Sequence, residues 1–123
     1  MTTPKKILII DDSATVRQAV RMPLQKDAYL CVEAVDGLDG LNKLQAESFD
    51  LVITDINMPN LDGFELIRQA RQLPGAKFTP IVVLTTESND ELKRRGKAAG
   101  ASGWIVKPFQ AEQLLKVLRL LLK

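Results

Sequence analysis

Apolar residues along the chain follow two different spacings. Short continuous runs, rich in β-branched residues, are separated by longer segments in which apolar residues recur every three or four positions. Continuous runs of this length are typical of strands buried on both faces, whereas the wider spacing is typical of helices with one inward face. Strands are therefore predicted at residues 7–10, 29–35, 51–54, 81–84 and 104–106. Their alternation with helices predicts an α/β protein with right-handed crossovers and a parallel sheet.

Polar residues that cap helices mark where three of the intervening helices begin. Ser13 is the predicted N-cap of the first helix, because its hydroxyl can accept a hydrogen bond from a free backbone N–H group. Asp62 with Glu65, and Ser88 with Glu91, have the spacing of a capping box. They predict the starts of the third and fourth helices.

The predicted helices differ in how many apolar residues they carry and in whether they contain residues that disfavour a helix. The second helix follows Asp36-Gly37. Its inward side is predicted to consist of three leucines: Leu38, Leu41 and Leu44. Pro23 lies inside the first helix, where proline costs about 3 kcal/mol, so a disturbed last turn is expected. The fourth helix is the weakest, because Leu92 is its only large apolar residue before Gly100 ends it. The fifth, at residues 111–122, is apolar on more than one face.

Length and composition narrow the class of protein. A chain of 123 residues is expected to form one domain, 1–123. The net charge of +2 gives little basis for a nucleic-acid partner, and no apolar stretch is long enough for a membrane span or a signal peptide. Cys31 is the only cysteine, so we expect a cytoplasmic protein in which Cys31 is a buried apolar residue. The absence of histidine excludes His-based catalysis and His metal ligands.

Residues with complementary chemistry follow the predicted strands. Asp11 and Asp12 follow the first strand, Asp55 the third, Thr85 the fourth and Lys107 the fifth. Because parallel strands share one carboxyl edge, where ligands bind, these residues are expected to converge. Crowded carboxylates favour a bound cation. Oxygen ligands without His or Cys favour Mg²⁺, Mn²⁺ or Ca²⁺, and Mg²⁺ suits a site shared with a phosphoryl group best.

This set of residues predicts a site for phosphoryl transfer. Lys107 and Thr85 can bind the oxygens of a dianionic phosphoryl group and stabilise the charge that develops during transfer. No glycine-rich phosphate loop is present, so a nucleotide is not the expected phosphate source. Asp55, which ends an apolar run, is the predicted covalent acceptor.

The ordered set of motifs resembles the receiver domain of two-component response regulators over essentially the whole chain. It consists of Asp11-Asp12, Asp55, Met58-Pro59, Asp62-Gly63, Thr85 and Lys107-Pro108-Phe109. The resemblance implies a flavodoxin-like, doubly wound sheet of five parallel strands in the order 2-1-3-4-5, with five helices. It also implies a cis peptide bond between Lys107 and Pro108.

The resemblance further implies a role for each acidic residue. Asp55 would be the phosphoacceptor, and the donor would be a phosphohistidine on a sensor histidine kinase. Asp12, Asp55 and the backbone carbonyl of Asn57 would bind Mg²⁺, and Asp11 would act partly through a bound water. The chain would catalyse only its own phosphorylation and dephosphorylation, and so would not be an enzyme in the ordinary sense.

The resemblance also implies a switch and an output. Thr85 and Lys107 would each hold a phosphoryl oxygen. Movement of Thr85 would leave space for Trp104 to turn inward, which changes the face formed by the fourth helix, fifth strand and fifth helix. Asn57 and Glu87 match the pair that tunes dephosphorylation in chemotaxis (CheY-like) receivers. The chain ends with the fifth helix, so we expect output by binding, to a target such as a flagellar motor switch component, with a phosphatase as a further partner.

Three other functions stay open at this stage. A phosphorelay intermediate would pass the phosphoryl group to a histidine-phosphotransfer protein. An aspartyl-phosphate phosphohydrolase would share the nucleophile, but such enzymes typically need an aspartate where this chain has Asn57. A flavodoxin-like cofactor carrier would need a phosphate-binding loop after the first strand, which the charges of Asp11 and Asp12 oppose.

Overall fold

Ten alternating elements make up the part of the chain that the computed structural model describes, residues 3–122. They are β1 (Lys6–Ile10), α1 (Ala14–Lys26), β2 (Leu30–Ala34), α2 (Gly37–Ala46), β3 (Leu51–Thr54), α3 (Gly63–Ala70), β4 (Ile81–Thr85), α4 (Asp90–Ala99), β5 (Gly103–Val106) and α5 (Ala111–Leu121). All neighbouring strands are parallel, in the order β2-β1-β3-β4-β5. The predicted flavodoxin-like fold, strand order and five helices are confirmed. The extreme ends of the predicted domain 1–123, residues 1, 2 and 123, lie outside the described residues.

The sheet carries an apolar layer on each face. Leu8 and Ile10 of β1 pack with α2 and α3 on one face, and Ile7 and Ile9 pack with α1 and α5 on the other. All four side chains are at most 1% exposed. Successive strand residues point to opposite faces, and both faces are covered. Because both faces of the strands are buried, successive strand residues are apolar, and the strands appear in the sequence as continuous apolar runs.

The predicted helix caps are correct at two of the three positions. The Ser13 hydroxyl accepts from the backbone N–H of Val16 at 3.3 Å, and the Asp62 carboxylate accepts from the N–H of Glu65 at 2.9 Å. The Glu65 side chain binds other residues of α3, so the capping box is half formed. The prediction that Ser88 caps α4 is wrong: Asn89, one residue later, accepts from two N–H groups of the first turn. Asn is as good a cap as Ser, and the helix therefore starts one residue later.

Details within the elements differ from the sequence pattern. Leu38 was predicted to face inward but is 47% exposed, because it is rotated by about 100° from Gly37, which lies on the buried side of α2. Pro23 does not end α1; the disturbance falls at the helix end, where the N–H of Asp27 is shared between the carbonyls of Pro23 and Leu24. Cys31 is half-buried rather than buried.

None of the helices in residues 3–122 has the length and apolar character that a membrane span requires.

Arg71 joins the end of α3 to the end of α4. Its guanidinium donates to the carbonyl of Gly100 at 2.8 and 3.2 Å, and to the carbonyls of Ala76 at 2.8 Å and Thr79 at 2.7 Å. Gly100 ends α4, as predicted, with a left-handed φ of 117°. Burial lowers the pKa of Arg71. The arginine satisfies carbonyls from two loops that make no regular sheet or helix bonds there.

We expect the Arg71→Met variant to lower the free energy of unfolding by about 2 kcal/mol or more, because several half-buried carbonyls lose their donor. Urea unfolding followed by circular dichroism measures this. The matched control is Arg68→Met on the same helix, whose exposed pair with Glu65 should contribute at most about 1 kcal/mol. Equal effects of the two substitutions would contradict the prediction.

Candidate functional site

Three charged side chains meet at the carboxyl edge of the sheet. Lys107, after β5, donates from Nζ to Oδ2 of Asp11, after β1, and to Oδ2 of Asp55, after β3, both at 2.8 Å. Asp11 and Asp55 are 3% and 9% exposed. Residues separated by up to 96 positions in the chain are thus in direct contact. The strand order brings them together, since β1 and β3 are neighbours at the centre of the sheet.

Backbone groups hold the two carboxylates from behind. Oδ1 of Asp55 accepts from the N–H of Ile56 at 2.7 Å and from the N–H of Asn57 at 3.4 Å. Oδ1 of Asp11 accepts from the N–H of Ser13 at 2.9 Å. Each carboxylate therefore has one oxygen fixed by the main chain and the other directed at Lys107.

The remaining predicted metal ligands lie at the surface. Asp12 and the side chain of Asn57 are exposed, and within residues 3–122 no three acidic, His or Cys residues are grouped closely enough to hold a metal ion by themselves. The expected cluster of three carboxylates is instead a buried pair, bridged by Lys107, with Asp12 beside it in the chain. A carboxylate has about four lone-pair sites, so Asp11 and Asp55 retain capacity for a cation. An all-oxygen donor set of this kind fits Mg²⁺.

Thr85 lies at the end of β4 and is fully buried. Its hydroxyl oxygen accepts from the N–H of Glu87 at 3.3 Å, and its carbonyl accepts from the N–H of Lys107 at 2.7 Å. The peptide bond between Lys107 and Pro108 is cis, as the family resemblance implied. Thr85 and Lys107 are therefore tied to each other through the main chain.

The main chain of Glu87 links Thr85 to Trp104. The carbonyl of Glu87 accepts from Nε1 of the indole at 2.9 Å, while its N–H bonds the Thr85 hydroxyl. The indole ring lies against Gly96 of α4, where an added Cβ would come within 2.8 Å of the ring. Sequence reasoning named Glu87 for its side chain and missed its main chain, because backbone contacts leave no residue signature. The one sequence feature that could have indicated this contact is Gly96, a glycine inside the weak fourth helix.

The charge state of Lys107 follows from its surroundings. Burial lowers the pKa of Lys107. Its hydrogen bonds to Asp11 and Asp55, together with the negative charges of these residues, outweigh the effect of burial, so the pKa lies above the ordinary 10.5. The ammonium therefore stays charged at neutral pH and compensates two buried carboxylates.

We expect Lys107→Met to lower the free energy of unfolding by roughly 3 kcal/mol between pH 7 and 9 without Mg²⁺, because two buried charges lose their partner. Because the pKa of Lys107 is raised in the folded protein, the charged lysine stabilises the fold at pH values below its pKa in the unfolded chain. That stabilisation is lost as the pH rises through the pKa of the folded protein. The difference between wild type and variant should therefore shrink only above about pH 10.5. Urea unfolding across pH measures it, with Lys43→Met, which removes a half-buried ammonium that contacts a single carboxylate, as control. A difference that vanishes below pH 9 would contradict this.

The chain resembles known proteins over nearly its full length. The response regulator receiver domain family matches residues 7–119. The chemotaxis response regulator CheY4 of Vibrio cholerae has a similar structure, with a TM-score of 0.92 and 47% identity, over 97% of this chain and 99% of that one. The transcriptional regulatory protein ResD of Bacillus subtilis is 35% identical over 122 residues, which make up 99% of this chain and 50% of that protein. The chain spans about half the length of the curated relatives it matches.

A more distant structure shares the fold alone. The receiver domain of the sensor histidine kinase PA1611 of Pseudomonas aeruginosa has a TM-score of 0.90 at 22% identity, over 98% of both chains, and holds a magnesium ion in its active-site cleft. The family match covers most of the chain and agrees with the strand order and the carboxyl-edge cluster. The chain belongs to the receiver domains of the response regulators of two-component signalling.

Proposed function

We propose that Asp55 accepts a phosphoryl group from a phosphohistidine of a sensor histidine kinase, and that this modification controls binding to an output partner. The observation that supports the proposal most directly is the contact of Lys107 with both Asp11 and Asp55. A buried carboxylate beside a fixed ammonium can act as a nucleophile while the charge of the incoming group is compensated.

In the proposed transfer, a carboxylate oxygen of Asp55 bonds to phosphorus as the P–N bond to histidine breaks, and the imidazole leaves with the electron pair. Lys107 has three N–H donors, of which two bind Asp11 and Asp55. The third is available to a phosphoryl oxygen. The hydroxyl oxygen of Thr85 accepts from Glu87 in this structure, and its hydrogen would be donated to another phosphoryl oxygen once the hydroxyl turns toward it.

Mg²⁺ would be held by Asp12, Asp55 and the Asn57 carbonyl, with Asp11 acting partly through water. The bound ion supplies charge neutralisation for the phosphoryl oxygens.

Asn57 follows Asp55 by two residues, and Glu87 follows Thr85 by two residues. We assign to their side chains the control of access for the hydrolytic water, and so of the lifetime of the acyl phosphate, alone or with a phosphatase.

The signal would leave the site through Glu87. If Thr85 turns its hydroxyl away from Glu87 and toward a phosphoryl group, the N–H of Glu87 loses its acceptor. The carbonyl that binds Trp104 lies in the next peptide unit, on the other side of the Glu87 Cα. A shift of the Glu87 main chain would then move this carbonyl, release Trp104 from its place on Gly96 and alter the surface of α4, β5 and α5. This is the face proposed to bind the output partner.

The proposed output is of the chemotaxis type, with a flagellar motor switch component as target. It is supported by the similarity to a chemotaxis response regulator at 47% identity and by the Asn57 and Glu87 pair. The transcriptional regulatory protein ResD is about twice as long as the region that aligns with this chain.

Incubation with acetyl phosphate and Mg²⁺ is expected to add one phosphoryl group to the wild type, seen by intact mass, and none to Asp55→Asn. The adduct should be lost when EDTA replaces Mg²⁺. The control is Asp62→Asn, which keeps the cap of α3, since Asn caps as well as Asp. No adduct on the wild type, or an undiminished one on Asp55→Asn, would refute the role of Asp55.

Phosphorylation is expected to change the fluorescence of Trp104, the single tryptophan, and to tighten binding to a peptide from the flagellar switch. Thr85→Ala should keep the adduct but lose both responses, whereas Thr86→Ala, at the exposed neighbouring position, should keep them. Binding is measured by fluorescence titration. Transfer of the phosphoryl group to a histidine-phosphotransfer protein, without peptide binding, would instead support a phosphorelay intermediate.

A further inference from the structure

Arg17 of α1 contacts the backbone of the site at Asp11. Its Nη1 donates to the carbonyl oxygen of Asp11 at 2.5 Å, and its Nε donates to Oε1 of Glu33 on β2 at 2.8 Å. The Arg17 side chain is 12% exposed. Arg21, one turn later, binds the other oxygen of Glu33 but makes no described contact with Asp11.

The carbonyl that Arg17 binds belongs to the peptide unit between Asp11 and Asp12. A peptide unit is planar, so fixing its oxygen also fixes its N–H and the direction in which the next residue leaves. The N–H of Asp11 donates to the carbonyl of Ala34 at 3.2 Å, which holds the residue on its other side. Among residues 3–122, the exposed carboxylate of Asp12 has no hydrogen-bonded partner. Its direction therefore depends on the peptide that Arg17 holds.

Charge makes Glu33 part of the same arrangement. An unpaired guanidinium next to the carboxylates would repel a divalent cation. The carboxylate of Glu33 is in contact with Arg17 and Arg21, and it offsets one of their two charges. The pairing thus allows Arg17 to hold the peptide while its charge is partly compensated.

We propose that Arg17, held by Glu33, is a positioning residue that orients the peptide between Asp11 and Asp12 so that Asp12 can bind the divalent cation. The inference rests on the proposed function, because it assigns a support to the proposed Mg²⁺ site. It extends that site to α1 and β2, which carry none of the residues that the sequence predicted as ligands.

The test compares Arg17→Gln with Arg21→Gln, because both lose a bond to Glu33 and only the first loses the bond to Asp11. Titration with Mg²⁺ alone, followed by calorimetry, should show about tenfold weaker binding for Arg17→Gln, the range found for residues that orient metal ligands. Arg21→Gln should bind as the wild type does. With acetyl phosphate, Arg17→Gln should need about tenfold more Mg²⁺ for half-maximal phosphorylation but approach the wild-type rate at saturating Mg²⁺.

Arg17→Lys is the second variant, for use if Arg17→Gln does not fold. Lysine keeps the charge but lacks the planar fork that reaches two acceptors, so Mg²⁺ binding should again weaken. Unchanged Mg²⁺ affinity in a folded Arg17 variant, or equal weakening in Arg21→Gln, would overturn the role of Arg17 while leaving phosphorylation of Asp55 intact. A wild type that binds no Mg²⁺ and gains no phosphoryl group would overturn the proposed function, and this inference with it.

Discussion

The contact of one ammonium group with two buried carboxylates is the constraint on which the rest of the site depends. Asp11 and Asp55 each lie 2.8 Å from Nζ of Lys107, and without a cation between them their charges would repel. Three different strand ends must therefore be held in register for the site to exist. The strand order provides that register, because β1 and β3 are neighbours and β4 joins β5 to β3, and both layers of the core pack against these strands.

Main-chain groups connect this charged centre to its surroundings. One path runs through the main chain of Glu87 to Trp104, and another runs through the Asp11 carbonyl to Arg17. Backbone groups are suited to this task because their geometry is fixed by the elements at either end. A side chain of Lys107 can turn about several bonds, whereas a peptide unit moves as one plane. Small shifts at the site can therefore be transmitted without new side-chain contacts.

The sequence predicted the fold and the meeting of Asp11, Asp55 and Lys107, and for a clear reason. Double burial of the strands produces continuous apolar runs, and the common carboxyl edge makes strand-end residues such as Asp55 and Lys107 conspicuous. Contacts with carbonyls could not be predicted in this way. Arg17 and Arg71 both act on backbone oxygens, which every residue carries, so no spacing of residue types points to them.

In α4, one residue both makes room for Trp104 and weakens the helix. Gly96 makes room for the Trp104 indole, which any larger side chain would meet at 2.8 Å, yet glycine within a helix costs about 1 kcal/mol relative to alanine. Gly96 is also the only fully buried residue of α4. Arg71 holds the C-terminal end through Gly100, whereas the N-terminal end adjoins Glu87. In the proposed switch, a disturbance from Thr85 therefore enters the helix at the end that Arg71 does not hold.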